Sequence, residues 1–372
     1  MGYDRALKAI CLEKTDRIPC AELVSNPDFE RHITRIDPYH HPLKARLKFI
    51  ETLDLDLTWG LFTGSSSVSN KPIERLFTRG ESSIKDEAGD RVVRWGAGTT
   101  RRWNWGEGFT DIEQVLEYDP LAPGKAKSTF WPSVDLSWTV EELAEQYNTL
   151  WHREQNLLGR SSLVMGRFYR TLFMWPLMTF GWRMFMRAVL YEPRRFEKLL
   201  DKFALISEKV FKAWSLTDIR LMYTHDDLCT RQGPVFSPEW YRKHIFPWYK
   251  RFWAPLKKKG IKVFFVGDGN MDMLIDDIFE AGADGIWFEP YTNLEKVLKK
   301  HGDKKFVVGN MDARVLMFGG KKEIYEMVRR CTERGKDCPG YFYCVSTHIP
   351  HNVAVENIAT YFRACRELGK RQ

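Results

Sequence analysis

Short unbroken apolar runs alternate with longer stretches of helical periodicity through the C-terminal half of the chain. Ser237-Pro238-Glu239 gives an N-cap, a proline at the first helical position and an acid in the first turn, which together start a helix. That helix is expected to reach Lys259, with a kink at Pro247, and to stop at Gly260. Ile261 to Val266 then reads as a strand, Met271 to Ala281 as a helix and Gly285 to Phe288 as a strand. The rhythm continues with a helix over Leu294 to His301, a strand over Lys305 to Val308 and a helix over Lys322 to Arg334. A strand at Tyr341 to Val345 and a helix at Ala354 to Leu368 close it. Strands separated by helices with short connections imply right-handed β-α-β units and a parallel sheet.

Four earlier strands fit the same pattern: Arg220 to Thr224 after the helix Arg194 to Trp214, Ser162 to Gly166 after the helix Val140 to Trp151, Leu53 to Trp59, and Ile18 to Val24. The total is eight, the number that closes a (β/α)8 barrel, although an open doubly wound sheet holds as many. The expected fold class is therefore α/β, a (β/α)8 TIM barrel over residues 1–372 as a single domain with an N-terminal region. Between the second and third strands lies an insert, about 63–137. Its segments Arg91 to Trp95 and Thr99 to Trp105 flank Gly96-Ala97-Gly98 and predict a β-hairpin, which we expect to reach over the barrel mouth.

Composition narrows the class. With 44% hydrophobic and 28% charged residues the chain is an ordinary globular one, neither disordered nor fibrous. The longest uncharged apolar run, Thr171 to Trp182 between Arg170 and Arg183, is too short to span a bilayer. The first residues lack the apolar core of a secretory signal, and Ala6 breaks the myristoylation pattern begun by Gly2. Seven cysteines form no Cys-x-x-Cys pair, which suits reducing cytoplasm. The net charge of +8 is dispersed; Lys257-Lys258-Lys259 and Lys299-Lys300 lie at helix ends, where cations oppose the dipole. No nucleic-acid or membrane partner is expected.

In barrels of this class the reactive groups gather at the C-terminal ends of the strands. Those ends supply Arg167 and Phe168; His225, Asp226 and Asp227; Asp268 and Asn270; Glu289; Asn310 and Asp312; and Thr347 and His348. Each has an ordinary alternative: a cap for Asp226 or Asp227, a turn for Asp268 between Gly267 and Gly269, a loop entrance for Glu289-Pro290, a surface histidine for His348. Converging carboxylates and imidazoles are costly unless they hold a metal, pair with cations or work as acids and bases. Asp227, Asp268, Glu289 and His348 offer metal ligands from separate strands, in the absence of any His-Glu-x-x-His motif. No Gly-x-Gly-x-x-Gly or Walker loop is present.

Several blocks resemble the uroporphyrinogen decarboxylase superfamily: Asp226-Asp227-Leu228 with Gly233-Pro234 and Ser237-Pro238-Glu239-Trp240-Tyr241; Lys262 to Asn270; Glu280 to Gly285; Gly309-Asn310-Met311-Asp312; Val353 to Ile358; and Arg5-Ala6-Leu7 with Asp16-Arg17-Ile18-Pro19. The resemblance implies a (β/α)8 barrel acting either as a porphyrinogen decarboxylase or as a methyltransferase on corrinoid proteins or a thiol coenzyme. The decarboxylases carry Arg-Gln-Ala-Gly-Arg after the first strand; this chain reads Val24 to Arg31 there without it. The zinc ligands of the thiol methyltransferases map onto Val266, Asp268 and Thr347, all replaced. The remaining branch takes a methyl group from a methoxylated, aromatic substrate and passes it to cob(I)alamin on a corrinoid protein partner. On that resemblance the catalytic residues are Asp268, His348 and Asp227. The substrate-binding set is Tyr223, His225, Asp226, Asn270, Asn310, Arg167, Phe168 and Trp287, and a zinc ion would use Asp268, Glu289 and His348. The alternatives are a decarboxylase-like lyase and a non-catalytic corrinoid- or tetrapyrrole-binding protein.

Overall fold

A computed structural model describes residues 1–61, 108–126, 134–346 and 348–371, and the backbone at 92–95 and 99–102. They form two compact units, Met1–Arg102 with His152–Met165 and Asp284–Gln372, and Trp103–Trp151 with Gly166–Ala283.

In the first unit Gly285–Phe288 runs parallel to Phe306–Val308, with Gly285 opposite Phe306, and Phe306–Val308 runs parallel to Tyr341–Phe342. Every residue of these strands is buried, as parallel strands covered on both faces must be. A side chain at Gly285 would collide with the ring of Phe306. The first expected strand is reduced to isolated parallel bridges, Cys20 to Tyr343 and Val24 to Ile349. Pro19 has no N–H for a ladder, and its carbonyl instead accepts the Tyr343 N–H at 2.8 Å. Asp56 N–H donates to the Cys20 carbonyl at 2.9 Å, and Leu57–Thr58 pairs in parallel with Leu163–Val164.

The Arg5 and Asp16-Arg17 blocks meet around Asp56, which is fully buried. Its carboxylate accepts from Arg5 at 2.5 Å, from Arg17 at 2.9 Å and from the Cys20 N–H at 2.7 Å. Two guanidinium groups on one buried carboxylate compensate its lost hydration, so these residues hold the N-terminal helix Gly2–Ile10 in place.

In the second unit Gly166–Phe168, Leu221–His225 and Lys262–Gly267 lie parallel and adjacent, with Phe168 opposite Thr224 and His225 opposite Val266. Along the chain the strand segments fall near 18–24, 57–58, 163–168, 221–225, 262–267, 285–288, 306–308 and 341–345, and a helix follows each. That is the (β/α)8 order, and the fold class is α/β as expected.

The insert's hairpin forms, Val92–Trp95 antiparallel to Thr99–Arg102 with Trp95 opposite Thr99; its Gly96-Ala97-Gly98 turn lies outside the described residues. The expected helix over 238–259 is two, Pro238–His244 and Phe246–Lys258, because Pro247 has no N–H to continue the ladder and its ring crowds the carbonyl four residues back. The apolar run from Thr171 belongs to a helix, Met174–Tyr191, interrupted at Gly181 where φ is 68°. Among the described residues no helix is long and apolar enough to cross a membrane. All seven cysteines are free thiols.

Candidate active site

The strand Leu221–His225 runs straight into Asp226 and Asp227, so the two aspartates leave the sheet on opposite sides. Asp226 turns inward and is fully buried. Its carboxylate accepts the N–H groups of Leu172 (2.7 Å), Phe173 (2.9 Å) and Met174 (2.7 Å), and the Tyr249 hydroxyl at 2.5 Å. Burial still pushes its carboxyl up to about 6. With all these donors taken, Asp226 holds the start of the helix Met174–Tyr191, which has no side-chain cap of its own. It does not line a substrate space, contrary to expectation.

Asp227 turns the other way. The His225 Nε2–H donates to Asp227 Oδ1 at 3.1 Å, and the Asp268 backbone N–H donates to the same carboxylate at 3.2 Å. His225, Asp227 and Asp268 each place one ligand-capable atom within 4.8 Å of the others. Asp268 reaches this position through its two glycine neighbours. A Cβ on Gly267 would lie 2.9 Å from the Asp226 carbonyl, and one on Gly269, whose φ is +85°, would lie 2.5 Å from the Thr230 carbonyl. The Asn270 N–H donates to that same carbonyl at 2.8 Å, pinning the loop against its neighbour.

Both imidazole nitrogens of His225 face acceptors, Nε2 the Asp227 carboxylate and Nδ1 the Tyr169 carbonyl at 3.1 Å. Burial disfavours the imidazolium, but the charge and hydrogen bond of Asp227, followed by the charges of Asp268 and Asp226, outweigh it and push His225 up to about 9. Asp227 answers in the other direction: burial raises its carboxyl, and His225 brings it below the usual range. Burial and then the charges of Tyr169, Asp227 and Asp268 keep the Tyr223 phenol protonated. The result is a positive imidazole whose Nε2 edge faces two acids, with a phenol donor close by.

The other expected residues fall elsewhere. Phe168 is 1% exposed and packs on Trp175 and Phe211, so it belongs to the core rather than to a substrate contact. Asn270 accepts the Asp272 N–H at 3.1 Å and shapes its own turn. Arg167 is buried on its strand. In the first unit Asn310 donates to the carbonyls of Glu289 (3.2 Å) and Thr292 (2.9 Å), a tie between two strand-end loops. Trp287 is buried in that unit's core. Burial, and then the charge of His351, pull His348 down to about 4, leaving it neutral. Thr347 lies outside the described residues. Among the described residues the metal-type grouping is His225, Asp227 and Asp268; Glu289 and His348 are not part of it.

Sequence reasoning missed Glu22, buried at the end of the first strand segment. It accepts the Val345 N–H at 3.0 and 3.1 Å and the Tyr361 hydroxyl. A lone acid inside an otherwise apolar strand was the available signal. Burial pushes it from 4.5 up to about 7 against those hydrogen bonds. A folded-state value above the unfolded one means that Glu22 contributes most stability below pH 4.5 and loses it as pH rises to 7. Glu22→Gln is therefore expected to melt higher than wild type at pH 8.5, by on the order of 3 kcal/mol in stability, with the gap closing toward pH 4.5. Parallel thermal melts at both pH values check this; a gap independent of pH contradicts it.

A family model described as uroporphyrinogen decarboxylase (URO-D) matches residues 178–368. The uroporphyrinogen decarboxylase of Syntrophotalea carbinolica is 26% identical over 177 residues, 47% of this chain and 49% of that protein. That of Carboxydothermus hydrogenoformans is 24% identical over 177 residues, 48% of this chain and 49% of that protein. The chain thus spans about half the length of the curated relatives it matches. A solved methyltransferase from Methanosarcina mazei superposes with a TM-score of 0.61 over 98% of both chains at 15% identity, a likeness of fold.

Proposed function

Since its residues 178–368, more than half its length, match the family model, the chain belongs to the uroporphyrinogen decarboxylase family, and from that premise we propose that it is a methyltransferase. In this reading it removes the methyl group of a methoxylated aromatic substrate and delivers it to cob(I)alamin on a corrinoid protein partner. The observation that carries the proposal is the His225–Asp227–Asp268 grouping, a buried imidazole with two half-buried acids, at the ends of two adjacent parallel strands.

Demethylating an aryl ether is hard because the departing oxygen carries away a full negative charge. When bound, the reduced corrinoid supplies the nucleophile and a divalent cation such as zinc supplies Lewis acidity at the ether oxygen. One imidazole nitrogen and two carboxylate oxygens fit such a cation, and His225, Asp227 and Asp268 would hold it, in place of the expected Asp268, Glu289 and His348. The chain's own part is to keep positive charge at that spot. With no cation bound, Asp227 holds a proton on His225 Nε2, which a cation would displace, and the Tyr223 phenol keeps a proton to offer the departing oxygen. Fixed donors aimed at a developing oxyanion lower the barrier without reorganising. The substrate stands in line with cobalt only if the surrounding wall orients it.

Decarboxylation of a polycarboxylate needs cations turned toward the substrate. In the stretch 24–31 Asn26 instead caps the helix Pro27–Thr34 through the Phe29 N–H at 2.8 Å, and its amide donates to the carbonyls of Pro350, His351 and Val353. That is a structural use of the region. Seven free thiols suit a reducing compartment such as the cytoplasm.

The test mixes purified protein, reduced cobalamin and a panel of methoxyarenes. Methylcobalamin and the matching phenol are expected in equal amounts. No methylcobalamin from any member of the panel overturns the proposal, and carbon dioxide release from a tetrapyrrole acid replaces it with the lyase.

A further inference from the structure

We propose that Tyr169, with Thr171 beside it, is the positioning residue of this centre, holding the His225 imidazole so that Nε2 points at the two acids. The inference rests on reading His225–Asp227–Asp268 as the reactive grouping.

A histidine side chain has two free torsions, and Asp227 alone constrains one end of the ring. The loop after the strand Gly166–Phe168 constrains the rest. The Tyr169 carbonyl takes the Nδ1–H at 3.1 Å, which fixes which nitrogen is turned away from the acids. The Tyr169 ring lies against the imidazole at 4.2 Å between centroids and 16° between planes, so the ring cannot flip without breaking the stack. Thr171 holds the backbone of the same residue: its hydroxyl accepts the His225 N–H at 3.0 Å and its N–H donates to the His225 carbonyl at 3.1 Å. That hydroxyl also meets the Thr224 hydroxyl. The loop is anchored in turn, because the next three N–H groups, of Leu172, Phe173 and Met174, end on Asp226. Residues 169–174 thus wrap 224–226, and the imidazole inherits their rigidity. A carbonyl on the far nitrogen is the usual way a protein orients a histidine toward a cation or a proton acceptor. Tyr169 is half-buried, so its ring is open to substitution without removing a core side chain.

Zinc and cobalt(II) binding to the full-length protein reads the orientation directly. Tyr169→Ala is expected to weaken zinc binding about 10- to 100-fold and to lose the intensity of the cobalt(II) visible absorption. Both variants keep the backbone carbonyl, and Tyr169→Phe, which also keeps the ring, is expected to restore both. A readout without metal is the exchange of the His225 Nδ1–H in histidine-labelled protein, identified by its loss in His225→Gln. It is expected to be slow in wild type and Tyr169→Phe and fast in Tyr169→Ala. Wild-type zinc affinity together with a slowly exchanging Nδ1–H in Tyr169→Ala overturns the proposal. If wild type takes no metal, the proton exchange alone decides for or against the clamp. Failure to form methylcobalamin removes the proposed function and leaves both measurements valid.

Discussion

An Asp226→Ala protein is expected to lose about 3–5 kcal/mol of stability, the range seen when one partner of a buried charged network is removed. The residue is fully buried and its carboxylate is the acceptor for Leu172, Phe173, Met174 and Tyr249. Alanine leaves three backbone N–H groups and a phenol with no partner in a space closed to bulk water. Each such orphan costs about 1–3 kcal/mol before relaxation. Asp226→Asn keeps one acceptor oxygen and presents an amide N–H2 to the remaining donors, so it is expected to fall between alanine and wild type. Thermal melts at pH 7 order the three proteins, and an alanine variant that melts with wild type contradicts the assignment.

The next residue is expected to behave in the opposite way. Asp227→Asn changes one atom on a half-buried side chain and leaves Oδ1 to accept the Asp268 N–H. Its melting temperature is expected to stay close to wild type. Removing the charge, however, takes away the largest support of the imidazolium on His225. Without that support, and with one carboxylate ligand fewer for a cation, the leaving oxygen meets less fixed positive charge. Methyl transfer is expected to slow about 100- to 10,000-fold, the range for losing a positioned acid or base. Rates of methylcobalamin formation measure it, and Asp227→Asn turning over at the wild-type rate removes the His225–Asp227–Asp268 grouping from the mechanism. The pair of variants separates folding from chemistry across a single peptide bond.

That contrast also marks the limit of what the sequence reveals. Strand–helix alternation, the Ser237 cap and the stop at Gly260 are local signals, and the elements they predict form in the expected order, although some ends move: the helix expected over Met271 to Ala281 starts at Ile275, and the one expected to end at Trp151 runs on to Leu158. The strand-end rule likewise brings His225, Asp227 and Asp268 into view before any coordinates. Which of two adjacent aspartates faces inward depends on donors more than fifty residues upstream, and nothing local distinguishes them. Phe168 is an aromatic at a strand end like any other until Trp175 and Phe211 cover it. The helix Met174–Tyr191 escapes notice for a related reason: a segment apolar nearly all round has no polar stripe to reveal its period. Glu289 and His348 satisfy the same strand-end rule as Asp268, and only three-dimensional placement leaves them out of the cluster.

The remote anchoring of that helix has a consequence for the order in which the protein matures. During synthesis Leu172, Phe173 and Met174 are translated more than fifty residues before Asp226. In that interval the first turn after Phe173 has no acceptor of its own to close on. The nascent segment is therefore expected to stay frayed at its leading end until Asp226, which follows the strand Leu221–His225, brings its carboxylate into place. Biogenesis of this half of the molecule is thereby tied to a single late-arriving side chain.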